Sequence, residues 1–219
     1  MLPTSSRRRA ALVGAITLCV ALVIVAVVGV IGLTMPALET DPDPASVAAQ
    51  SPEAASAPGV LTPQRVRLSS DPEASARAVA MAVLTWDTRG PADPLDWAQP
   101  LVDLADAEDA TAVAADVRGY LPTTEQWHSL QMYGTRQWLT IDALAVPDAW
   151  ATALEQAAPG QLPPGAVALT VTGTRHRDGI WETEHVTSAR PVAFTVFLAC
   201  PPAEHCRLLR LSRVDAPLR

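Results

Sequence analysis

Lysine and asparagine are both absent from the 219 residues, so all sixteen basic residues are arginines. The missing residue types share AT-rich codons, and the usage is that of a high-GC bacterial genome. Three nucleotide and nucleophile signatures are absent too. There is no Gly-x-Ser-x-Gly elbow, no Gly-x-x-x-x-Gly-Lys phosphate loop and no Gly-x-Gly-x-x-Gly turn, which removes the sequence grounds for those chemistries. Phenylalanine and tyrosine number two each, against six tryptophans. With so few other large rings, the tryptophans are expected as core anchors and as residues lining the mouth of a sheet.

Charge is also missing from one long stretch. After Arg7-Arg8-Arg9 the next charged residue is Glu39, and Ala10–Leu33 is an almost unbroken aliphatic run of 24 residues. About 20 apolar residues cross a bilayer as a helix. A cleaved signal peptide has a shorter apolar region of about 7–15 residues and a small-x-small site, and Thr34-Met35-Pro36-Ala37 is a poor one. The run is therefore expected as an uncleaved anchor at 10–33, with Cys19 as a small apolar member. The three arginines ahead of it keep residues 1–9 in the cytoplasm and send the rest outside. Beyond the anchor, thirteen arginines face twenty-three carboxylates, a formal charge of −10. So acidic a surface has no electrostatic reason to bind nucleic acid or anionic lipid along its length.

Residues 34–68 are rich in Pro, Ala, Ser and Asp without apolar period, and are expected as a disordered linker or stalk. Residues 69–219 are long enough for one core. Ser70 with Glu73 fits a capping box, and Ala76, Val79, Ala80, Val83 and Leu84 then recur at helical spacing until Gly90-Pro91. A shorter helix is expected around Leu95-Asp96-Trp97, interrupted at Pro100, and a third from Asp106 to Tyr120. The period then changes. Strands are expected at Thr135–Val146, Ala166–Arg175, Val192–Ala199 and Arg207–Val214, with a short helix at Pro147–Gln156, a loop at Leu162–Gly165 and a turn at Asp178-Gly179. Helices followed by consecutive antiparallel strands give an α+β fold, with helices packed on one face of a curved antiparallel sheet.

The expected strands place Cys200 and Cys206 on either side of a short loop, facing each other across a hairpin within reach of a disulfide. Outside the cytoplasm such a bond persists. Free thiols, or a metal site drawing on Glu204 and His205, are the alternatives; a redox pair would favour Cys-x-x-Cys at a helix start. His176 and His185, with Asp178, Glu182 and Glu184, form a conceivable metal site around the expected turn, against the plainer reading of a solvated hairpin tip. Tyr120 and Tyr133 with Asp103 or Asp142 are candidates for a carboxylate and oxyanion-hole pair. His128 is expected as a partly buried ring beside Trp127. Alternation in the last strand puts Arg207 and Arg213 on the face of Leu209 and Leu211, and Arg210 with Leu208.

The segments "VPDAW" (146–150), "LPPG" (162–165) and "PVAFTVFLACPPAEHCRLLRLSRVDAPLR" (191–219), with the region around Trp97, resemble actinobacterial one-pass membrane proteins. Their extracytoplasmic domains are similar to the nuclear-transport-factor-2-like, cystatin-like cone. Proteins of this build resemble the TcpC-like scaffold subunit of conjugation and type IV secretion systems. The resemblance implies a non-enzymatic scaffold in the plasma membrane, with no catalytic, cofactor-binding or metal-binding residues. Its partners would be other membrane-complex subunits, itself among the candidates. A small-molecule-binding or catalytic cone tethered to the outer face of the membrane is the alternative.

Overall fold

The computed structural model describes residues 59–219. The expected cytoplasmic segment 1–9, the expected membrane helix 10–33 and the expected linker up to residue 58 lie outside the described residues. Among the described residues, no helix is long and apolar enough to cross a membrane.

β-Branched and aromatic residues alternate with small ones through the core halves of two long segments, and these pair along their whole length. Strands β3 (Ala166–Trp181) and β4 (Glu184–Ala199) are 16 residues each and run antiparallel from Ala166↔Ala199 to Trp181↔Glu184. Around them lie β1 (Trp86–Asp87), β2 (Arg136–Ala145) and β5 (Arg207–Leu211). The strand order is β1-β2-β3-β4-β5, an antiparallel meander curved into a half-barrel. Two bulges mark where it bends. Asp142 is the unpaired extra residue between Ile141↔Gly173 and Ala143↔Thr172, and Leu209 is extra between Leu198↔Leu208 and Phe197↔Arg210. A bulge bends its strand and raises the local twist. At the first, Gly173 lets β2 approach closely, because a Cβ there would stand 2.3 Å from the Thr140 carbonyl oxygen.

Helices α1 (Pro72–Leu84), α2 (Pro94–Val102) and α3 (Ala110–Arg118) pack on one face of the sheet. Ala76, Val79, Ala80 and Val83 of α1, Leu101 of α2, and Val113 and Val117 of α3 meet Val171, Phe194, Val196 and Leu198 in one fully buried core. Tyr120 closes it edge-on against Phe194, ring centres 5.2 Å apart. Two further helices complete the domain. α4 (Thr124–Gln131) carries Trp127, and α5 (Ala149–Gln156) sets Trp150 6.0 Å from Phe197. Phe197 alternates with core-facing Val196 and Leu198, so α5 covers the opposite face of the sheet.

Several expected boundaries move. The cap of α1 is Asp71, whose side chain accepts from the Glu73 amide, and not Ser70. Pro100 lies inside α2 without breaking it: an Asp93–Asp96 capping box holds the start, and buried Trp97 and Leu101 hold the packed face. The third helix begins at Ala110 and ends at Arg118. β3 does not turn at Asp178-Gly179 but runs on to Trp181, and the turn is Glu182-Thr183, with Glu182 at φ 55°. Asp178 is spent on an ion pair with Arg136, and the Ile180 amide donates to the Tyr133 carbonyl at 2.8 Å, so the pairing carries the strand past the Asp-Gly signal. In β5 the Leu209 bulge breaks the expected alternation. Leu208 and Leu211 both face the core, and the strand ends at Leu211.

The last residues of the compositional linker, 59–68, run against the domain. The Leu61 amide donates to the Asp87 carboxylate at 2.9 Å, and Leu68 packs on the core. Asp87 is fully buried and also accepts from the Arg89 amide and side chain. Burial pushes its carboxyl up, but the Arg89 guanidinium, with the Leu61 and Arg89 amides, outweighs this and holds the pKa below its ordinary 3.8.

Cys200 and Cys206 are bonded across the β4–β5 connection, at an S–S distance of 2.02 Å. The closed loop is short, so reduction should cost roughly 2 kcal/mol, the low end for a disulfide. Urea unfolding with and without reductant measures that difference, and a loss well above it would mean that the bond shapes more than its own loop. For Asp87, a carboxyl with a depressed folded pKa stabilises fully above its unfolded value and loses that contribution as pH falls through the folded one. Thermal stability should therefore drop as pH falls below 3.8. The Asp87→Asn variant should be less stable at pH 7 and should lack that part of the acid dependence.

Candidate functional site

The hairpin of β3 and β4 outruns the helices that cover its other end. All of Glu184–Pro191 is exposed, and the tip carries Ile180, Trp181 and Val186 at 55%, 56% and 50% exposure. Cross-strand register puts Gly179 opposite Val186 and Arg177 opposite Ser188. Tyr133 stacks on Trp181 with ring centres 5.0 Å apart. Tyr133, Thr135, Gly179, Trp181, Val186 and Ser188 line a concavity of about 300 Å³. Gly179 is where the α4–β2 loop comes closest, since a Cβ there would meet the Tyr133 carbonyl oxygen at 3.0 Å. The result is an open apolar rim at the tip of the hairpin, which runs three residues past the end of its pairing with β2.

Nearer the core, the mouth of the half-barrel is filled by tryptophan. Trp86, Trp97 and Trp127 form a second buried cluster, with Trp86 and Trp127 centred 5.5 Å apart. None of the three indole N–H groups has an acceptor among the described residues, so the plug is held by ring packing. Above it lies a chain of polar contacts. The Gln137 amide donates to the Leu84 carbonyl at 2.9 Å and its oxygen accepts from Arg177 Nε at 2.8 Å. The Arg177 guanidinium lies 5.2 Å from the centre of the Trp86 ring, within cation–π range. Burial lowers the Arg177 pKa, and Arg175 and Arg190 lower it further. Arg175 and Arg190 are themselves direct cross-strand neighbours. Arg175 and Arg177 look into a cleft of about 420 Å³ with Tyr120, Gln126 and Ser129.

The residues singled out as candidate chemistry are mostly kept apart. Tyr120 donates its hydroxyl to the Ser212 carbonyl at 2.6 Å. Burial, with Asp116 and Asp215 nearby, pushes its phenol far above the ordinary range, so it is no acid or base near neutrality. Tyr133 is at the rim, Asp103 takes the Gln99 amide at the end of α2, and Asp142 is exposed on its bulge. These four do not converge on one site. His176 stacks on Trp138 and bonds Thr140 at 3.1 Å, while His185 lies 3.8 Å from Asp178. The two histidines lie on either side of the Glu182-Thr183 turn but do not face each other, since His176 pairs with Ala189 and His185 with Ile180. Asp178 is committed to Arg136, and Glu182 and Glu184 are exposed at the tip. Among the described residues, no group of three or more His, Cys, Asp or Glu side chains is placed to hold a metal ion. His128 is exposed rather than partly buried: on α4 it is Trp127 that points inward. Glu204 and His205 are exposed on the disulfide loop.

The rim was missed because a Trp-Glu-Thr-Glu sequence gives no alternation signal at a strand end. Helix α4 was not anticipated, although Thr123 and Gln126 form a capping box with the required spacing; the tryptophans were expected as core anchors and mouth-lining residues, and three of them form this cluster. Comparison with protein-family models, curated proteins and solved structures finds no match.

The polar chain can be tested by its asymmetry. Gln137→Met removes the donor to a buried carbonyl and the acceptor of a half-buried guanidinium, and should cost about 3 kcal/mol. Arg177→Met strands only the Gln137 oxygen and relieves repulsion from Arg175 and Arg190, so it should cost about 1 kcal/mol. Denaturant unfolding of both variants checks the ranking.

Proposed function

We propose that this chain is a non-enzymatic, membrane-anchored scaffold, an assembly component of a conjugation or type IV secretion-like complex. In this reading residues 10–33 cross the plasma membrane, residues 1–9 are cytoplasmic and the domain is extracytoplasmic. The arm formed by β3 and β4 is the docking element, and the partners are other subunits of the membrane complex. One observation carries the proposal. The interior is packed and closed by Trp86, Trp97 and Trp127, whereas Ile180, Trp181 and Val186 stand exposed together at the tip of the β3–β4 hairpin. Exposed apolar residues clustered on a projecting element are the usual mark of a protein-binding surface. The short disulfide loop stiffens the other end of the same strand. The TcpC-like scaffold resemblance fits such a role.

A second reading is a small-molecule-binding or catalytic cone, and one feature favours it. The cleft in front of Arg175 and Arg177 concentrates positive charge in an otherwise acidic chain. Against catalysis, its tyrosine is committed to Ser212.

Crosslinked pull-down of the tagged chain from native membranes separates the two. Recovery with a secretion or conjugation ATPase and channel subunits is expected, and Trp181→Ala should reduce it several-fold while shifting stability by less than about 1 kcal/mol. Recovery alone, at monomer size, would contradict the scaffold reading and direct attention to the arginine cleft.

A further inference from the structure

An exposed strand edge presents backbone donors and acceptors that a second strand can satisfy. The other edges of this sheet are managed. Along β5, the Leu208 amide donates to the Leu104 carbonyl, the Cys206 amide just before the strand to the Ser69 carbonyl, and the Leu211 amide to the Asp116 carboxylate. β2 beyond β1 is kinked by the Asp142 bulge. The C-terminal segment pairs with β4 at Ala193 and Thr195, through Asp215 and Ser212. From Glu184 to Pro191 the outer edge of β4 meets nothing among the described residues. This stretch carries no bulge, because its register with β3 is unbroken.

Which groups face outward follows from the bonds present. The Ile180 amide points away from β4, toward Tyr133, so Ile180↔His185 is a pair without mutual hydrogen bonds. Antiparallel pairs alternate in kind. His185, Thr187 and Ala189 therefore turn their N–H and C=O groups to the free edge, in phase with Ala193 and Thr195. Pro191 has no N–H and closes the free edge at one end; the Glu182-Thr183 turn closes it at the other.

We infer that two copies of this chain pair antiparallel along this edge about a two-fold axis at Thr187, joining their sheets into one. The available groups are symmetric about that residue: His185 meets Ala189 of the second copy, Thr187 meets Thr187, and about six backbone hydrogen bonds form. The same register sets Glu184 opposite Arg190 of the second copy, twice, in pairs with Cα atoms about 4.5 Å apart. Val186 falls opposite Ser188 and brings Trp181 and Val186 of both copies to one face of the joined sheet. Charges that would repel a slipped or foreign strand become complementary in this single alignment. Arg190, which opposes Arg175 within its own chain, gains a carboxylate there. The pairing goes beyond the scaffold reading and stands on the strand edge alone.

The test uses the full chain purified in detergent, in a Cys19→Ala background. Thr187→Cys should form an intermolecular disulfide under mild oxidation, because the two-fold axis sets residue 187 against itself. Thr172→Cys, exposed on β3, should not. Light scattering of the unmodified chain should give twice the monomer mass, and Glu184→Arg, which sets arginine against Arg190, should weaken the dimer about tenfold with its circular dichroism unchanged. A monomer at all concentrations would overturn the pairing, as would a dimer that crosslinks equally at 172 and 187. In the native-membrane pull-down, recovery alone but at dimer mass would contradict the scaffold reading and support this pairing.

Discussion

Everything in the domain hangs on the pairing of β3 with β4. Sixteen residues on each side are locked in one register by a two-residue turn, and a slip by one would turn Val171, Phe194 and Val196 out of the core. Each further element is positioned by that hairpin. Helices α1 to α3 bury against its core half, α5 against the back of that half, and β2 and β5 pair along its two sides. Where the helices stop, the hairpin continues, and its other half is held by backbone bonds and cross-strand contacts alone.

In the proposed reading that division separates stability from recognition. The buried half holds the apolar side chains that drive folding and carries the short disulfide at its end. The projecting half has Glu184–Pro191 exposed on both faces, and it holds the rim residues and the free edge. Between the halves, Gln137, Arg177 and the three tryptophans close the interior. Gln137 is consumed there by structural bonds to Leu84 and Arg177, while the three indoles are held by ring packing.

Much of this was legible in the residues. Helical spacing of Ala76, Val79, Ala80 and Val83 marked α1, and alternation in "VAFTVFLA" marked the core half of β4. Cys200 and Cys206 declared their pairing once two strands were seen on either side. The outer strand of the arm was not legible, because residues 184–191 are exposed on both faces and mostly polar, so no alternation distinguishes strand from loop. Asp178-Gly179 reads as a turn until Arg136 supplies a partner for the carboxylate and Tyr133 a partner for the Ile180 amide. Both contacts come from residues more than forty positions away. The same holds for Leu209, whose bulge depends on how β5 meets β4 and not on its own sequence.

Residue-resolved amide exchange of the full chain across a dilution series tests most directly that a rigid arm presents a free, self-complementary edge. The account predicts that the amides of Val186, Ser188 and Arg190, turned toward β3, exchange slowly at every concentration. Those of His185, Thr187 and Ala189 should become slow only as the chain is concentrated. Fast exchange of the first set would mean that the arm is frayed; fast exchange of the second at all concentrations would mean that its edge stays bare.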